Sequence, residues 1–302
     1  MHRFRACWLV AIVLAASCCS AATSGTAPQA WSRLRFEHDG LALDARLEID
    51  RQELAAEALP AVDPAVVDLL RPVGPAVGRL RVSSLFRIPP LLQRQREAVL
   101  WFDTASHAAL RGSRETSGIG AGYRISAYGA TGVHVGRAPE AAPVPPQGWA
   151  SMERSFVAYG AAAQRCAVIT EPVALLLLSP ASLRAEAAGR GLCVLSHKRL
   201  FHPELSEPEE EGFQLDYRVH GAGIGPREVR AGRAIRYTLR LRSADGRDPS
   251  AGSEAFLGLD GEIEIHADPV TGMPLRLRGS ASLLGRVDFR LREVWLPPAG
   301  ST

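Results

Sequence analysis

The sequence predicts a mainly β (α+β) fold, an antiparallel sheet accompanied by a few short helices. Three observations predict it. Apolar and polar residues alternate strictly over residues 41–50, five more alternating segments fill the last third of the chain, and the helical stretches are short and cut by proline. Of the 302 residues, 46% are hydrophobic and 22% charged, which is the composition of a folded globular protein. It excludes a disordered tail, a collagen-like repeat and a multi-span membrane protein.

Residues 1–22 read as an export signal. Arg3 and Arg5 begin it, Trp8 to Ala16 form an apolar core too short to span a bilayer, and small residues follow. Two outcomes stand open. Cleavage after Ala22 (Ser20 at −3), or one residue earlier, gives a soluble periplasmic protein. Alternatively, Leu14-Ala15-Ala16-Ser17-Cys18 resembles a lipoprotein box, and lipidated Cys18 anchors the chain to the periplasmic face of a membrane. Membrane association is expected only in that second case.

A lead segment (23–40), a single β-rich domain (41–296) and a tail (297–302) complete the expected organisation. Lys198 is the only lysine among 35 basic residues, and the formal charge is +3. Removing residues 1–22 leaves 33 bases against 32 acids. Bulk charge then gives no reason to expect a nucleic-acid partner, and none is expected.

Leu41, Leu43, Ala45, Leu47 and Ile49 alternate with Asp44, Arg46, Glu48 and Asp50, so the first strand has one wet face. Residues 51–70 read as two short helices, separated by Pro60 and Pro64. Strands are expected at 79–88, 97–103, 123–128 and 132–137. A Pro-rich loop follows at 138–149, then a strand at 165–169. The apolar run Val173–Leu178 reads as a buried strand or helical turn. Ser179 and Pro180 open a helix that Gly189 stops. Residues 203–212 read as a solvated acidic loop.

Five strands then form an antiparallel meander, with Asp268-Pro269-Val270-Thr271-Gly272 as one of its hairpin turns. One face carries Arg236, Arg240, Arg242, Arg276, Arg278, Arg290 and Arg292, shared with Glu262, Glu264 and Asp288. It is either a solvated sheet face or a surface that docks an anion or an envelope protein partner. The other face carries Ile235, Tyr237, Leu239, Leu241, Ile263, Ile265, Leu275, Leu277, Phe289 and Leu291. A flat sheet makes these residues core; a curled one offers them to an acyl chain or other lipid ligand.

Local motifs supply no chemistry. The glycine clusters at 118–122 and 221–225 are not followed by the helix that a dinucleotide site needs, so they read as β connections. His197 and His202 lie near Glu204 and Glu207, but Pro203 prevents the helical spacing of a zinc pair. No metal, cofactor or catalytic residue is expected. Cys166 and Cys193 are the cysteines outside the export segment; they either form a disulfide, as an oxidising compartment permits, or remain buried thiols.

The order Leu257 to Ile265, Asp268, Gly272-Met273-Pro274-Leu275-Arg276 and Leu284-Gly285-Arg286-Val287 resembles an exported bacterial family without an assigned function. Tyr123–Pro139 resembles an earlier part of the same pattern. The resemblance implies a curved antiparallel sheet or half-barrel, similar to that of periplasmic lipoprotein carriers, with short helices packed on its concave face. It implies a non-enzymatic envelope protein that binds a lipid or hydrophobic ligand, and carries over no catalytic residue.

Overall fold

The computed structural model describes residues 31–40, 43–118, 120–138, 152–188, 191–196, 198–221, 224–246, 256–281 and 285–297. The export segment with Cys18, residues Leu41, Gly189, His197 and Leu284, and nearly all of the Pro-rich loop and of the terminal tail lie outside them. Among the described residues sixteen strands make one curved sheet, and the fold is mainly β.

Eight strands follow one another as antiparallel neighbours: β1 (Arg33–Asp39), β2 (Asp44–Ala55), β3 (Ala76–Ile88), β4 (Leu92–Asp103), β5 (Ala109–Gly118), β6 (Gly122–Tyr128), β7 (Gly132–Ala138) and β8 (Glu153–Ala158). On the other side of β1 lie β16 (Gly285–Trp295), β15 (Pro274–Ala281), β14 (Asp260–Ala267) and β13 (Ile224–Ser243). The sheet ends with β11 (Arg199–Leu205), β10 (Leu192–Ser196) and β9 (Val168–Thr170). β12 (Glu209–Gly221) forms a hairpin with the first half of β13, and its end runs parallel to β16.

The alternation expected at 41–50 is present: Ala45, Leu47 and Ile49 are buried in β2, while Glu48 meets Arg33 at 2.7 Å on the wet face. The expected meander of five strands is present too, in antiparallel pairs from β12 to β16. Asp268 secures the β14–β15 turn by accepting hydrogen bonds from the amides of Val270 and Thr271.

Curvature follows from packing. β3 and β16 are three places apart, about 14 Å on a flat sheet. Yet the rings of Phe86 and Phe289 meet edge-on with centroids 5.9 Å apart. The segment Pro172–Leu177 is a 3-10 turn, buried at every residue, and it contacts both β3 and β10, which lie eight places apart in the strand order. The sheet therefore curls around residues 172–178, which fill its interior. Helix α1 (Pro180–Ala188) packs against β10 and β11, with Ser179 Oγ accepting from the Ser182 amide at 3.1 Å. Among the described residues no helix is long and apolar enough to cross a membrane.

Several expectations require correction. β1 occupies residues assigned to the lead segment, and β5 and β8 are strands where none was expected. Residues 51–70 hold the end of β2 and two 3-10 turns, Ala56–Ala58 and Pro64–Leu69, in place of helices. The acidic stretch 203–212 is the end of β11 and the start of β12. Arginines lie across from its acids: Glu209 pairs with Arg236, Glu210 with Arg233, and Glu204 with Arg242. Those pairings turn a solvated loop into strand edges.

Candidate functional site

The inner face of β4 to β7 changes character along its length. Leu100, Tyr128, Val133 and Val135 are buried in the core. Nearer the β5–β6 hairpin turn the same face becomes basic. Because strands alternate sides, Arg114, Arg124 and Arg137 all project from this face. Arg114 on β5 stands directly opposite Arg124 on β6, and Arg124 directly opposite Arg137 on β7. Arg94 and Arg96 join them from β4, and Lys198 reaches in from the β10–β11 turn. These six cations line a cleft of about 490 Å³, together with Thr116, Gly120, Gly122, Tyr123 and Ala138.

Like charges facing each other across strands are destabilising. Elsewhere in this sheet arginines meet acids: Arg81 with Glu97 at 2.6 Å, Arg35 with Glu293 at 3.2 Å. In the cleft, Arg94, Arg124, Arg137 and Lys198 form no salt bridge within 4.0 Å among the described residues. The Nε atoms of Arg94 and Arg124 are buried without a hydrogen-bond partner there. Two carboxylates border the row: Glu153 on β8, opposite Arg137 in register, and Glu171 at the inner end. Among the described residues the cleft lining holds six cations and borders two acids, so it is positive; Arg96 and Arg114 have partners of their own.

At its inner end the cleft adjoins a recess of about 10 Å³, shared by Arg114, Arg124, Ser126, Tyr128, Glu171 and Ser196. Space of that size holds about one water, so any ligand stays in the outer cleft. The Tyr128 hydroxyl donates to Glu171 Oε1 at 2.5 Å. Burial first, then the Glu171 charge, raise the Tyr128 phenol well above its ordinary pKa, so it remains a donor. Gly112 makes room for this pair, since a Cβ there would lie 2.6 Å from Glu171 Oε1.

Cys166 and Cys193 form a disulfide. β9 runs parallel to β10, with Cys193 beside Ile169, so the bond ties the segment leading to Glu171 onto the strand that carries Ser196. The alternative of two free thiols is set aside.

The other anticipated residues lie elsewhere. On the polar face, Arg240 pairs with Glu262, Arg276 and Arg278 both reach Asp288, Arg290 lies 3.8 Å from it, and Arg292 pairs with Asp216. With Arg236 and Arg242 already paired to acids of β12 and β11, each of the seven arginines has an acid beside it. Tyr237, Leu239, Ile263, Ile265, Leu275, Leu277, Phe289 and Leu291 are buried in one core with Val173 to Leu178, and Ile235 and Leu241 pack against it. His202 lies 3.5 Å from Cys193 Sγ, and His266 sits buried between Glu211 and Glu264.

The cleft arginines were not singled out from the sequence. A signal existed in Arg94 and Arg96, two apart on β4, but only the register shows that they share a face with Arg114, Arg124 and Arg137 on three other strands. The glycine cluster at 118–122, read as a plain connection, is the β5–β6 turn and supplies two cleft residues. No protein family, curated protein or solved structure matches this chain.

Proposed function

We propose that this is a non-enzymatic, exported protein of the cell envelope that binds a small, multiply charged anion in the cleft between β4–β7 and the β10–β11 turn. The register of Arg124 and Arg137, which form no salt bridge among the described residues, carries the reading. Two guanidinium groups directly opposite each other, with Arg94 and Lys198 lining the same cleft, repel one another until an anion lies among them. Their planar forks suit phosphate or carboxylate oxygens. The cleft volume of about 490 Å³ falls in the usual range for small-molecule sites.

The export-type N-terminus and the disulfide support a periplasmic location, free or anchored through Cys18. We read the curl of the sheet as a half-barrel similar to that of the lipoprotein carriers, with the ligand at its rim. An anion is favoured over an acyl chain because the apolar concave residues are packed on residues 173–178. Docking of a partner on the outer arginine face is less favoured, since those arginines are engaged by acids.

Titration calorimetry at constant ionic strength tests the reading. Tripolyphosphate is expected to bind the wild type and to bind Arg124→Ser at least tenfold more weakly, while Arg242→Ser on the outer face binds normally. The reading fails if wild-type protein binds neither tripolyphosphate, phosphate nor citrate.

A further inference from the structure

Lysine occurs once in this chain, at position 198, and the rest of its 35 lysines and arginines are arginine. Lys198 holds the left-handed backbone region, φ 67°, at the β10–β11 turn, where glycine would sit without strain. Residues kept in such sparsely populated regions cluster at ligand clamps. Lys198 lines the cleft and forms no salt bridge among the described residues.

Its approach differs from that of the arginines. β10 lies ten places from β5 in the strand order, and the curl brings its end, Leu195 and Ser196, into the recess beside Arg114 and Arg124. Lys198 follows two residues later, so its ammonium enters the cleft from the wall that faces Arg124 and Arg137. The arginine side offers planar forks, with the buried Nε atoms of Arg94 and Arg124 still without a partner. The lysine side offers a compact head with three donors.

Two such walls distinguish anions by shape. A carboxylate has two oxygens in one plane, and guanidinium forks engage both. Turned toward Arg124 and Arg137, it has no oxygen left to face Lys198. A phosphate group is tetrahedral: with two oxygens taken by the forks, a third still points across the cleft, where the ammonium donates to it.

We infer that Lys198 determines specificity: the cleft selects a terminal phosphate group over a carboxylate, with Arg124 and Arg137 holding one side of the tetrahedron and Lys198 the other. The inference rests on the anion-binding reading above and names the class of anion. A terminal phosphate occurs both in soluble phosphomonoesters and in the headgroup of phosphatidic acid.

The test has two arms, both with the full mature protein. In the soluble arm, methyl phosphate and malonate, both dianions above neutral pH, are titrated calorimetrically at fixed ionic strength. In the vesicle arm, phosphatidylcholine vesicles carrying phosphatidic acid are compared by co-sedimentation with vesicles carrying oleate at equal surface charge. Wild type is expected to favour the phosphate probe at least about tenfold. A preference confined to the soluble arm marks a soluble phosphoester, and one at least as large on vesicles marks a lipid headgroup. Lys198→Gly and Lys198→Asn, both tolerated in the left-handed region, are expected to weaken phosphate binding more than carboxylate binding, so that the preference falls to about threefold or less. Arg124→Ser is expected to weaken both classes by a similar factor and so to keep the preference, because the forks serve both shapes. Equal binding of the two classes by wild type in both arms overturns the inference yet leaves an anion cleft standing. Weakening of both classes in equal proportion by the Lys198 substitutions overturns it as well. Absence of binding by every probe overturns both the inference and the reading beneath it.

Discussion

Arg124 stands directly opposite Arg114 across β5 and β6, and on its other side directly opposite Arg137. Removing the middle charge relieves its like-charge contact with Arg137, which forms no salt bridge among the described residues. Arg124→Thr is therefore expected to raise unfolding free energy by about 0.2–1 kcal/mol while weakening anion binding. Urea denaturation of the unliganded protein checks the first part and calorimetry the second. A destabilised variant would show that the row is held by interactions other than those described.

Lys198 sits in the left-handed region at the β10–β11 turn, with φ 67°. A lysine there is strained relative to glycine by about 1 kcal/mol. Lys198→Gly is expected to raise the melting temperature and lower affinity for tripolyphosphate, because it relieves the turn and removes a cation from the cleft. Thermal scans with and without ligand would separate the effects. A variant that binds as tightly as wild type removes Lys198 from the site.

The disulfide closes a loop of 27 residues of sequence separation, worth about 3–4 kcal/mol in the chain-entropy account. Reduction, or the double substitution Cys166→Ala with Cys193→Ala, is expected to lower stability by an amount of that order. Anion affinity should fall less, since all six cations lie outside the tied segment. A denaturation midpoint unmoved by reductant would contradict the structural role of the bond.

Acid should weaken the fold through Glu264 and Asp288. Burial pushes both carboxyls up. For Asp288, hydrogen bonding from Arg276 and the charges of Arg276 and Arg278 outweigh it; for Glu264, hydrogen bonds from His266 and Arg278 do so. Both pKa values end below their ordinary ones, so both groups are protonated more readily in the unfolded chain. Their contribution is complete above about pH 4.5 and disappears as pH falls through the lowered folded values. Asp288→Asn is thus expected to cost more stability at pH 7 than at pH 3, as urea midpoints at the two pH values would reveal. Equal costs at both would rule out this linkage.

Leu175 is 3% exposed at the centre of the segment around which the sheet curls. Leu175→Ala should cost about 2–5 kcal/mol if that interior is close-packed core. A loss well under 1 kcal/mol in chemical denaturation would mean that the interior tolerates a void.

Legibility in the sequence followed the chemistry of each face. β2 and β13 to β16 set buried apolar residues against charged ones, so period-2 alternation exposed them. β5 escaped notice because Gly112, Arg114 and Thr116 point inward while Ser113, Glu115 and Ser117 point outward. A strand that is polar on both faces has no alternation to read. The same holds for the start of β4, where Arg94 and Arg96 lie inward and Gln93, Gln95 and Glu97 outward. Of the strands that build the cleft, β6 and β7 were legible at 123–128 and 132–137, while β5 and the start of β4 were not, for the reason that makes them part of a candidate site: their inner face is charged.

Taken alone, the sequence determined the β class, the five-strand meander, the helix after Ser179 and the buried nature of Val173–Leu178, because each is a local pattern of apolar spacing or capping. Only the tertiary structure decided that Cys166 meets Cys193, that residues 172–178 occupy the concave side, and that arginines from four strands and a lysine from a distant turn share one cleft. Those outcomes depend on strand register and curl. One residue of slip would move every one of those arginines to the other face, and no stretch of sequence records which strands become neighbours.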